Sequence, residues 1–201
     1  MDNEILDTKG KILETAIEIV GRKGEFTIRE LTEKSGVNVA AINYYFGSKS
    51  NLLKEVESHY SGLLYNIQYE ILSHWEADAV EKLAAWARGM MEFMFRRPAM
   101  IALIVNMINE DKSYKPLMIE RIYLNKALKE VIEELIREGT GLTDERALRH
   151  RYLQLFSGVV GPVISQVVSS NYGGDQGTFD ISDEEDLNIY IDTLVKGVLS
   201  S

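Results

Sequence analysis

Apolar residues recur every three or four positions along almost the whole chain, and this spacing limits the possible folds more than any other feature. In the first such segment, Ile12, Ala16, Ile19 and Val20 fall on one side of a helix, because an α-helix makes one turn in about 3.6 residues. The alternating pattern of a half-buried strand is almost absent. The sequence therefore predicts an all-α fold of about nine helices.

Glycine, proline and capping residues set the expected ends of these helices. Gly24 follows the first helix, and Pro98 and Pro116 suit first turns. Glycines and a proline predict a kink near residues 158–162, and the acidic, Gly-rich segment 171–182 is expected to be a mobile loop. The expected spans are 6–22, 27–34, a third helix beginning at Asn38, 49–73, 78–95, 98–109, 115–138, 143–170 and 183–199.

The composition narrows the class of protein. Hydrophobic residues make up 45% of 201 residues, enough for a packed core in one ordinary or two small domains. No cysteine is present, which excludes disulfides and thiolate metal sites. The acidic N-terminus lacks the apolar core of a signal peptide, and no apolar run is long enough to span a membrane. We therefore expect a cytoplasmic protein with no membrane partner.

The fourth expected helix is the longest of the first four. Its apolar stripe includes Leu53, Val56, Tyr60 and Leu64 and continues for several turns on one face. At about 1.5 Å per residue the helix spans on the order of 35 Å, long enough to join two domains. We place the boundary within it, which predicts an N-terminal domain of residues 1–56 and a C-terminal domain of residues 57–201.

Residues 27–49 have the pattern of a helix-turn-helix. Thr27 and Glu30 form a capping-box pair, in which the threonine hydroxyl accepts from the Glu30 N–H and the Glu30 carboxylate reaches back. Gly36 suits the turn, and Asn38 suits the N-cap of the third helix. That helix is expected to bury Val37, Ala41, Ile42, Tyr45 and Phe46 and to expose Val39, Ala40, Asn43 and Tyr44.

The outward residues of the third helix have the chemistry of a DNA-reading surface. Alanine and valine can contact thymine methyl groups, and Asn43 can pair with adenine. Tyr44 and Lys49 can reach phosphates. The net charge is −9, but residues 36–49 contain one lysine and no acid, so DNA contact is confined to this patch. The candidate DNA contacts are Thr27, Arg29, Asn38, Val39, Ala40, Asn43, Tyr44 and Lys49. Spacing alone is equally consistent with an ordinary helical bundle.

This stretch resembles the recognition-helix signature of the tetracycline-repressor (TetR) family. The residues that carry the resemblance are Gly36-Val37, Ile42, Tyr45-Phe46, Lys49 and Leu52-Leu53, and residues 11–24 resemble the family's first helix. The resemblance implies an all-helical homodimer that binds double-stranded palindromic operator DNA and releases it when a small-molecule effector binds. It implies neither an enzyme nor a cofactor.

The central helices contain methionine and aromatic residues that suit an adaptable apolar pocket. The resemblance places an effector pocket in this region as a whole, although ordinary core packing is the better explanation for any single residue. The expected effector is mostly apolar, because no cluster of like charges marks a charged one. The candidate ligand contacts are Trp86, Met90, Phe93, Met94, Ile104, Met107, Ile108 and Tyr123.

The last two helices carry more apolar surface than one core face requires. Two such helices from each chain could form a four-helix dimer interface; alternatively, they cover their own domain. The candidate interface residues are Phe156, Val160, Val163, Ile164, Val167, Leu187, Ile191 and Leu194.

Two other classes of protein compete with a transcriptional repressor. The pairs Glu55/His59 and Glu70/His74 have metal-ligand spacing, but they lie roughly 22 Å apart along one helix and cannot share an ion. A metal-dependent enzyme is therefore disfavoured, and no metal site is assigned. A helical protein–protein adaptor could use the apolar face of the third helix. Salt-dependent DNA binding would separate these alternatives, because phosphate contacts release counterions.

Overall fold

A computed structural model describes residues 2–74, 76–169, 181 and 183–200, without the side chains of residues 2–7, 74, 167 and 168. Within these residues the chain is helical and contains no strand, which confirms the all-α prediction. The helices are α1 (Asp2–Lys23), α2 (Ile28–Ser35), α3 (Val39–Phe46), α4 (Lys49–His74), α5 (Ala79–Phe95), α6 (Ala99–Glu110), α7 (Lys126–Thr140), α8 (Glu145–Val168) and α9 (Glu184–Leu199). No helix in this part of the chain is long and apolar enough to cross a membrane.

The expected single helix over residues 115–138 is two elements. A π-helix spans Ile119–Tyr123, and α7 begins only at Lys126. Asn125 separates them, since its side chain accepts a hydrogen bond from the Leu128 N–H at 3.1 Å. The prediction was wrong because the apolar spacing continues through the break. The missed signal is Asn125, a residue type that favours an N-cap over a helix interior.

Two expected features lie near the end of α8. The helix includes Pro162, and the kink near residues 158–162 stays a prediction. The segment predicted as a mobile loop, residues 171–182, lies outside the described residues apart from Ile181.

The chain packs as two compact units that do not coincide with the expected division at residue 56. The first unit consists of Met1–Leu63 and Arg96–Tyr123, and the second of Leu64–Phe95 and Leu124–Ser201. The expected boundary thus falls inside the first unit. The sequence pattern could not reveal that residues 96–123, distant along the chain, belong with the N-terminal helices.

Close packing joins α6 to α1 within the first unit. Gly24 has φ +77°, and a Cβ there would lie 2.8 Å from the carbonyl oxygen of Ala99. Only glycine accepts both that backbone conformation and that approach without strain. Tyr60 donates a hydrogen bond to the Ile17 carbonyl at 2.6 Å, and the Arg97 guanidinium lies 5.7 Å from the centre of the Tyr60 ring.

Candidate nucleic-acid interface

Local hydrogen bonds hold α2 and α3 in a helix-turn-helix. The Thr27 hydroxyl accepts from the Glu30 N–H at 3.1 Å, and the Asn38 side chain accepts from the Ala41 N–H at 2.9 Å. Gly36 ends α2 with φ 68°, and its N–H donates to the Thr32 carbonyl at 2.9 Å. These are the two caps and the turn expected from the sequence.

The Glu30 carboxylate completes the expected capping box and also contacts two lysines. It interacts with the backbone N–H of Thr27, accepts a hydrogen bond from Lys23 at 2.6 Å and lies 3.9 Å from Lys34. The hydrogen bond from Lys23 is the main cause that lowers the pKa of Glu30, and the backbone N–H of Thr27 lowers it further. The prediction that this carboxylate reaches back to the N-cap is confirmed, and the charged lysine holds it more strongly than the neutral N–H does. The Lys23–Glu30 pair joins the end of α1 to α2.

The faces of α3 agree in part with the expected division, since Val37, Ala41 and Tyr45 were expected to be buried and are half-buried. Ile42 and Phe46 are 0% and 5% exposed, and they anchor the helix in the core. Val39 is 47% exposed and Tyr44 78%. Ala40 and Asn43 are exposed as well. The outward side of α3 is therefore a small patch of methyl groups with one amide and one phenol.

The remaining predicted DNA contacts differ in exposure and in the interactions that their side chains already make. Thr27 and Asn38 are exposed, but each side-chain oxygen caps a helix. Arg29 is exposed and pairs with Glu33 at 2.8 Å. The Lys49 side chain is half-buried, with its ammonium 5.5 Å from the centre of the Phe26 ring. Lys49 begins α4, where the free N–H groups favour anions.

A buried carboxylate that the sequence analysis did not single out lies on α4. Glu57 is 0% exposed. Its carboxylate accepts from the Tyr114 hydroxyl at 3.0 Å and from the Met118 N–H at 2.6 Å. Burial, followed by the charge of Glu57, raises the pKa of the Tyr114 phenol. Lys54 lies over the same ring at 4.6 Å and pairs with Asp111 at 3.5 Å. Glu57 therefore ties the first half of α4 to the segment that follows α6.

A cleft of about 190 Å³ lies in the second unit between the last turns of α4 and the start of α7. Gln68, which is 1% exposed, lines it. The Gln68 amide accepts from the Trp86 indole at 3.0 Å and donates to the Leu64 carbonyl at 3.3 Å. A cavity of roughly 150 Å³ can hold benzene, so this cleft suits a small molecule. Its lining residues are Tyr65, Gln68, Tyr69, Leu72, Ser73, Asn125, Ala127, Leu128 and Val131.

None of the eight predicted ligand contacts lines this cleft. Trp86, Met90, Phe93 and Met94 are buried on α5 in the second unit. The other four belong to the first unit: Met107 is buried, Ile104 and Ile108 are half-buried, and Tyr123 is exposed. Helical spacing identified the apolar side of each helix, but the same pattern is typical of core packing and of a pocket.

The eight predicted dimer contacts differ in how deeply each is buried within its own chain. Val163, Leu187 and Ile191 are buried within their own chain. Phe156, Val160 and Leu194 are half-buried, and Ile164 is exposed. Val167 belongs to α8, but its side chain lies outside the described residues. The α9 stripe thus contributes mainly to its own unit, as the alternative interpretation of these helices expected.

The residues considered for a metal-dependent enzyme form no shared site. Glu55 pairs with Lys9 at 3.6 Å, and the side chain of His74 is outside the described residues. Among the residues that the structure describes, no three His, Asp or Glu side chains are grouped closely enough to hold a metal ion.

The capped turn and the exposed second helix define a helix-turn-helix DNA-binding protein. Residues 12–56 match the model of the bacterial regulatory proteins of the tetR family. This match confirms the resemblance seen in the sequence: residues 12–56 are a DNA-binding domain of the tetR type.

Similar proteins support the same assignment. The probable HTH-type transcriptional regulator YttP of Bacillus subtilis is 37% identical over 57 residues, which span 27% of this chain and 28% of that protein. The structure of the TetR family regulator PfmR from Thermus thermophilus has a TM-score of 0.60 and 20% identity, over 92% of this chain and 97% of that chain. A TetR family regulator from Marinobacter aquaeolei has a TM-score of 0.64 and 14% identity, over 98% and 97% of the two chains. At these identities the structural matches establish the fold.

Proposed function

We propose that the chain is a transcriptional repressor whose homodimer binds a palindromic operator and is released by a small, mostly apolar effector. The observation that carries this proposal is the exposed side of α3. Val39 and Tyr44 expose apolar surface there although the adjacent side of the helix is fully buried. Such residues gain contacts in a major groove, where base edges and thymine methyl groups are accessible.

In the proposed complex, α3 lies in the major groove and the surrounding groups position it. Asn43 reads a base edge by donating to and accepting from adenine. Tyr44 and Lys49 bind phosphates, together with the free N–H groups at the start of α4. The rest of the acidic chain faces away from the DNA, since the net charge is −9 and like charges repel.

Replacing Asn43 with alanine is expected to reduce discrimination between operator and random DNA by at least about 30-fold, because one bidentate base contact is worth roughly 1–3 kcal/mol and a symmetric dimer loses it twice. Affinity for random DNA should stay nearly unchanged. The measurement is a fluorescence-anisotropy titration of both DNAs at several salt concentrations, with an operator selected from a random-sequence pool. Equal losses on both DNAs would contradict base reading by Asn43. Salt-independent binding would contradict the proposed function.

The effector response is proposed to involve the cleft between α4 and α7. The apolar part of its lining consists of Leu72, Ala127, Leu128 and Val131, while Gln68, Ser73, Asn125 and the two tyrosines supply polar groups. An effector there would contact α4, the helix that begins beside the proposed phosphate contacts. We propose that it shifts α4 and so changes the separation of the two α3 helices in the dimer. Operator binding requires that separation to match half-sites about one helical turn, or a multiple, apart.

Replacing Leu128 with tryptophan is expected to fill much of the cleft and to leave operator affinity within about twofold, because the residue is remote in sequence from α3. Compounds that dissociate the wild-type complex should then lose at least about tenfold in potency. The assay screens small apolar compounds for operator release and repeats the titration with the variant. Val80→Trp, a substitution at an exposed position outside the cleft, is the control. Equal potency on the wild-type protein and on Leu128→Trp would place the effector elsewhere.

A further inference from the structure

Two tyrosines of α4 form part of the wall of the cleft between α4 and α7. Tyr65 and Tyr69 lie one turn apart, and their rings are nearly parallel, with 17° between the ring planes and 6.2 Å between the ring centres. Both line the cleft, and they are 37% and 47% exposed. No third ring fits between them, since stacked carbon atoms need about 3.5–4.0 Å on each side. The pair therefore offers outward ring surface to a molecule in the cleft.

The amide of Gln68 has a fixed orientation at the cleft. The Trp86 indole N–H can only donate, so the amide atom 3.0 Å from it is the oxygen. The amide nitrogen donates one of its two N–H groups to the Leu64 carbonyl at 3.3 Å. Within the described part of the chain, the second N–H has no acceptor. Gln68 is 1% exposed and lines the cleft, so one buried donor remains for a ligand.

The lining of the cleft favours a neutral molecule. No Asp, Glu, Lys, Arg or His is among the described residues that line it. An ionised ligand would lose its hydration there without a charged partner, which is costly. Gln68, Ser73, Asn125 and the two tyrosines bring amide or hydroxyl groups to the lining. A saturated hydrocarbon chain would displace water from such groups without replacing its hydrogen bonds. The lining thus matches a neutral molecule that has polar groups at its edge.

The volume of the cleft limits the size of that molecule. The cleft holds about 190 Å³, and a cavity of roughly 150 Å³ holds benzene. The pockets of drug-sized ligands are larger, at roughly 300–1,000 Å³. The cleft therefore has room for one aromatic ring with a small substituent.

We propose that the cleft binds a neutral, planar compound of one aromatic ring that carries a hydrogen-bond acceptor beside the ring. The ring packs on Tyr65 and Tyr69 in the offset or edge-to-face arrangements that aromatic rings prefer. The acceptor takes the second N–H of Gln68, and the apolar side chains of Leu72 and Leu128 contact the ring. The proposal rests on the effector response of the proposed function and names the chemical class of the effector.

A series of small probes separates the contributions of ring, acceptor and charge. Benzamide has all the proposed features, and toluene lacks the acceptor. Cyclohexanecarboxamide lacks the planar ring, benzoate is an anion and benzylammonium is a cation. Binding to the full chain is measured without DNA from the fluorescence of Trp86, whose indole donates to Gln68. The chain contains two tryptophans, so Trp75→Phe leaves Trp86 as the reporter.

Benzamide should bind with a dissociation constant on the order of 1 mM or below, which is within the range open to so small a ligand. Cyclohexanecarboxamide should bind about fivefold more weakly, because it lacks the ring contacts with the two tyrosines. Benzoate and benzylammonium should bind at least about tenfold more weakly, because the lining offers neither ion a counter-charge. Failure of benzamide to bind, or equal binding of either ion, would overturn the proposed ligand class.

Gln68→Glu tests the hydrogen bond to the ligand. The new side chain keeps an oxygen for Trp86, but it has no donor left for a ligand. An ionised carboxylate only accepts, and the single O–H of a protonated one is taken by the Leu64 carbonyl. Benzamide should lose about tenfold in affinity, whereas toluene, which has no acceptor, should change by no more than about twofold. Equal losses for both probes would overturn the role of Gln68.

Tyr69→Leu tests the ring contact in the same way. It should weaken benzamide about fivefold and leave cyclohexanecarboxamide within about twofold. The matched control is Tyr45→Leu, the same change at a half-buried tyrosine of α3 outside the cleft, which should leave both affinities unchanged. Circular dichroism confirms that each variant is folded. Equal losses of the two amides in Tyr69→Leu would contradict a planar aromatic ligand.

Release of operator DNA is measured separately with the same probes. If benzamide binds with the expected selectivity but releases no DNA, the ligand class stands and the effector response through this cleft is refuted. If an ion releases DNA at lower concentration than benzamide does, the ligand class is overturned while the proposed function stands.

Discussion

Replacing Tyr44 with alanine is expected to weaken operator binding on the order of 100-fold. Tyr44 is 78% exposed on α3, so its truncation removes the proposed phosphate contact without opening a cavity. A hydrogen bond to a charged group is worth about 1.5–3 kcal/mol, and a symmetric dimer loses it twice. Lys49→Ala should have a similar effect and should also reduce the salt dependence of binding.

Fluorescence anisotropy with the selected operator measures these losses, and size-exclusion chromatography confirms the oligomeric state of each variant. Val80→Ala on α5 is the control, since Val80 is also exposed but lies on a helix outside the proposed interface. Unchanged operator affinity of both Tyr44→Ala and Lys49→Ala would refute the assignment of this surface to DNA. Thermal melting is recorded as well, because Lys49 is half-buried beside Phe26.

Replacing Glu57 with alanine is expected to lower the free energy of unfolding by about 3–5 kcal/mol. The substitution leaves the Tyr114 hydroxyl and the buried Met118 N–H without their acceptor, and each unsatisfied buried donor costs about 1–3 kcal/mol. The cavity left by the side chain adds to this loss. Glu57→Gln should cost less, because one side-chain oxygen can still accept from one of the two donors.

Glu55→Ala provides a matched control for Glu57→Ala on the same helix. Glu55 is exposed and forms one ion pair with Lys9 at 3.6 Å, and such pairs contribute about 0–1 kcal/mol. Urea denaturation followed by circular dichroism compares the two variants. Similar losses for both would show that burial and hydrogen bonding of Glu57 do not contribute to stability.

The sequence was sufficient for features whose interactions lie within a few residues. Thr27 and Asn38 cap α2 and α3 with N–H groups three residues ahead, and Gly36 ends α2 within one turn. The periodicity of α3 also separated its buried side from its exposed side. Such features can be predicted because capping and helical spacing depend on local geometry.

Contacts between distant parts of the chain could not be predicted in this way. Glu57 lies in a stretch of α4 that also contains Lys54, Glu55 and Ser58, and nothing nearby identifies Tyr114 and Met118 as its partners. The cleft beside Gln68 depends on the packing of α4 and α7, and its lining contains none of the residues chosen from the methionine and aromatic pattern. An apolar stripe shows that one side of a helix avoids water and does not show what covers that side.

The amino-acid sequence by itself determined the all-α class, the helix-turn-helix and the outward residues of α3, because short-range hydrogen bonds and helical periodicity specify them. The tertiary structure decided that Leu187 and Ile191 pack within their own chain while Leu153 and Ile189 are exposed. It also decided that α8 and α9 pack antiparallel, since Arg151 bonds to the carbonyl of Gly197 and Tyr190 to the carbonyl of Gly158. The packing of the whole unit decides which helices contact each other. Those contacts in turn decide which side chains are buried and which helix ends lie close together.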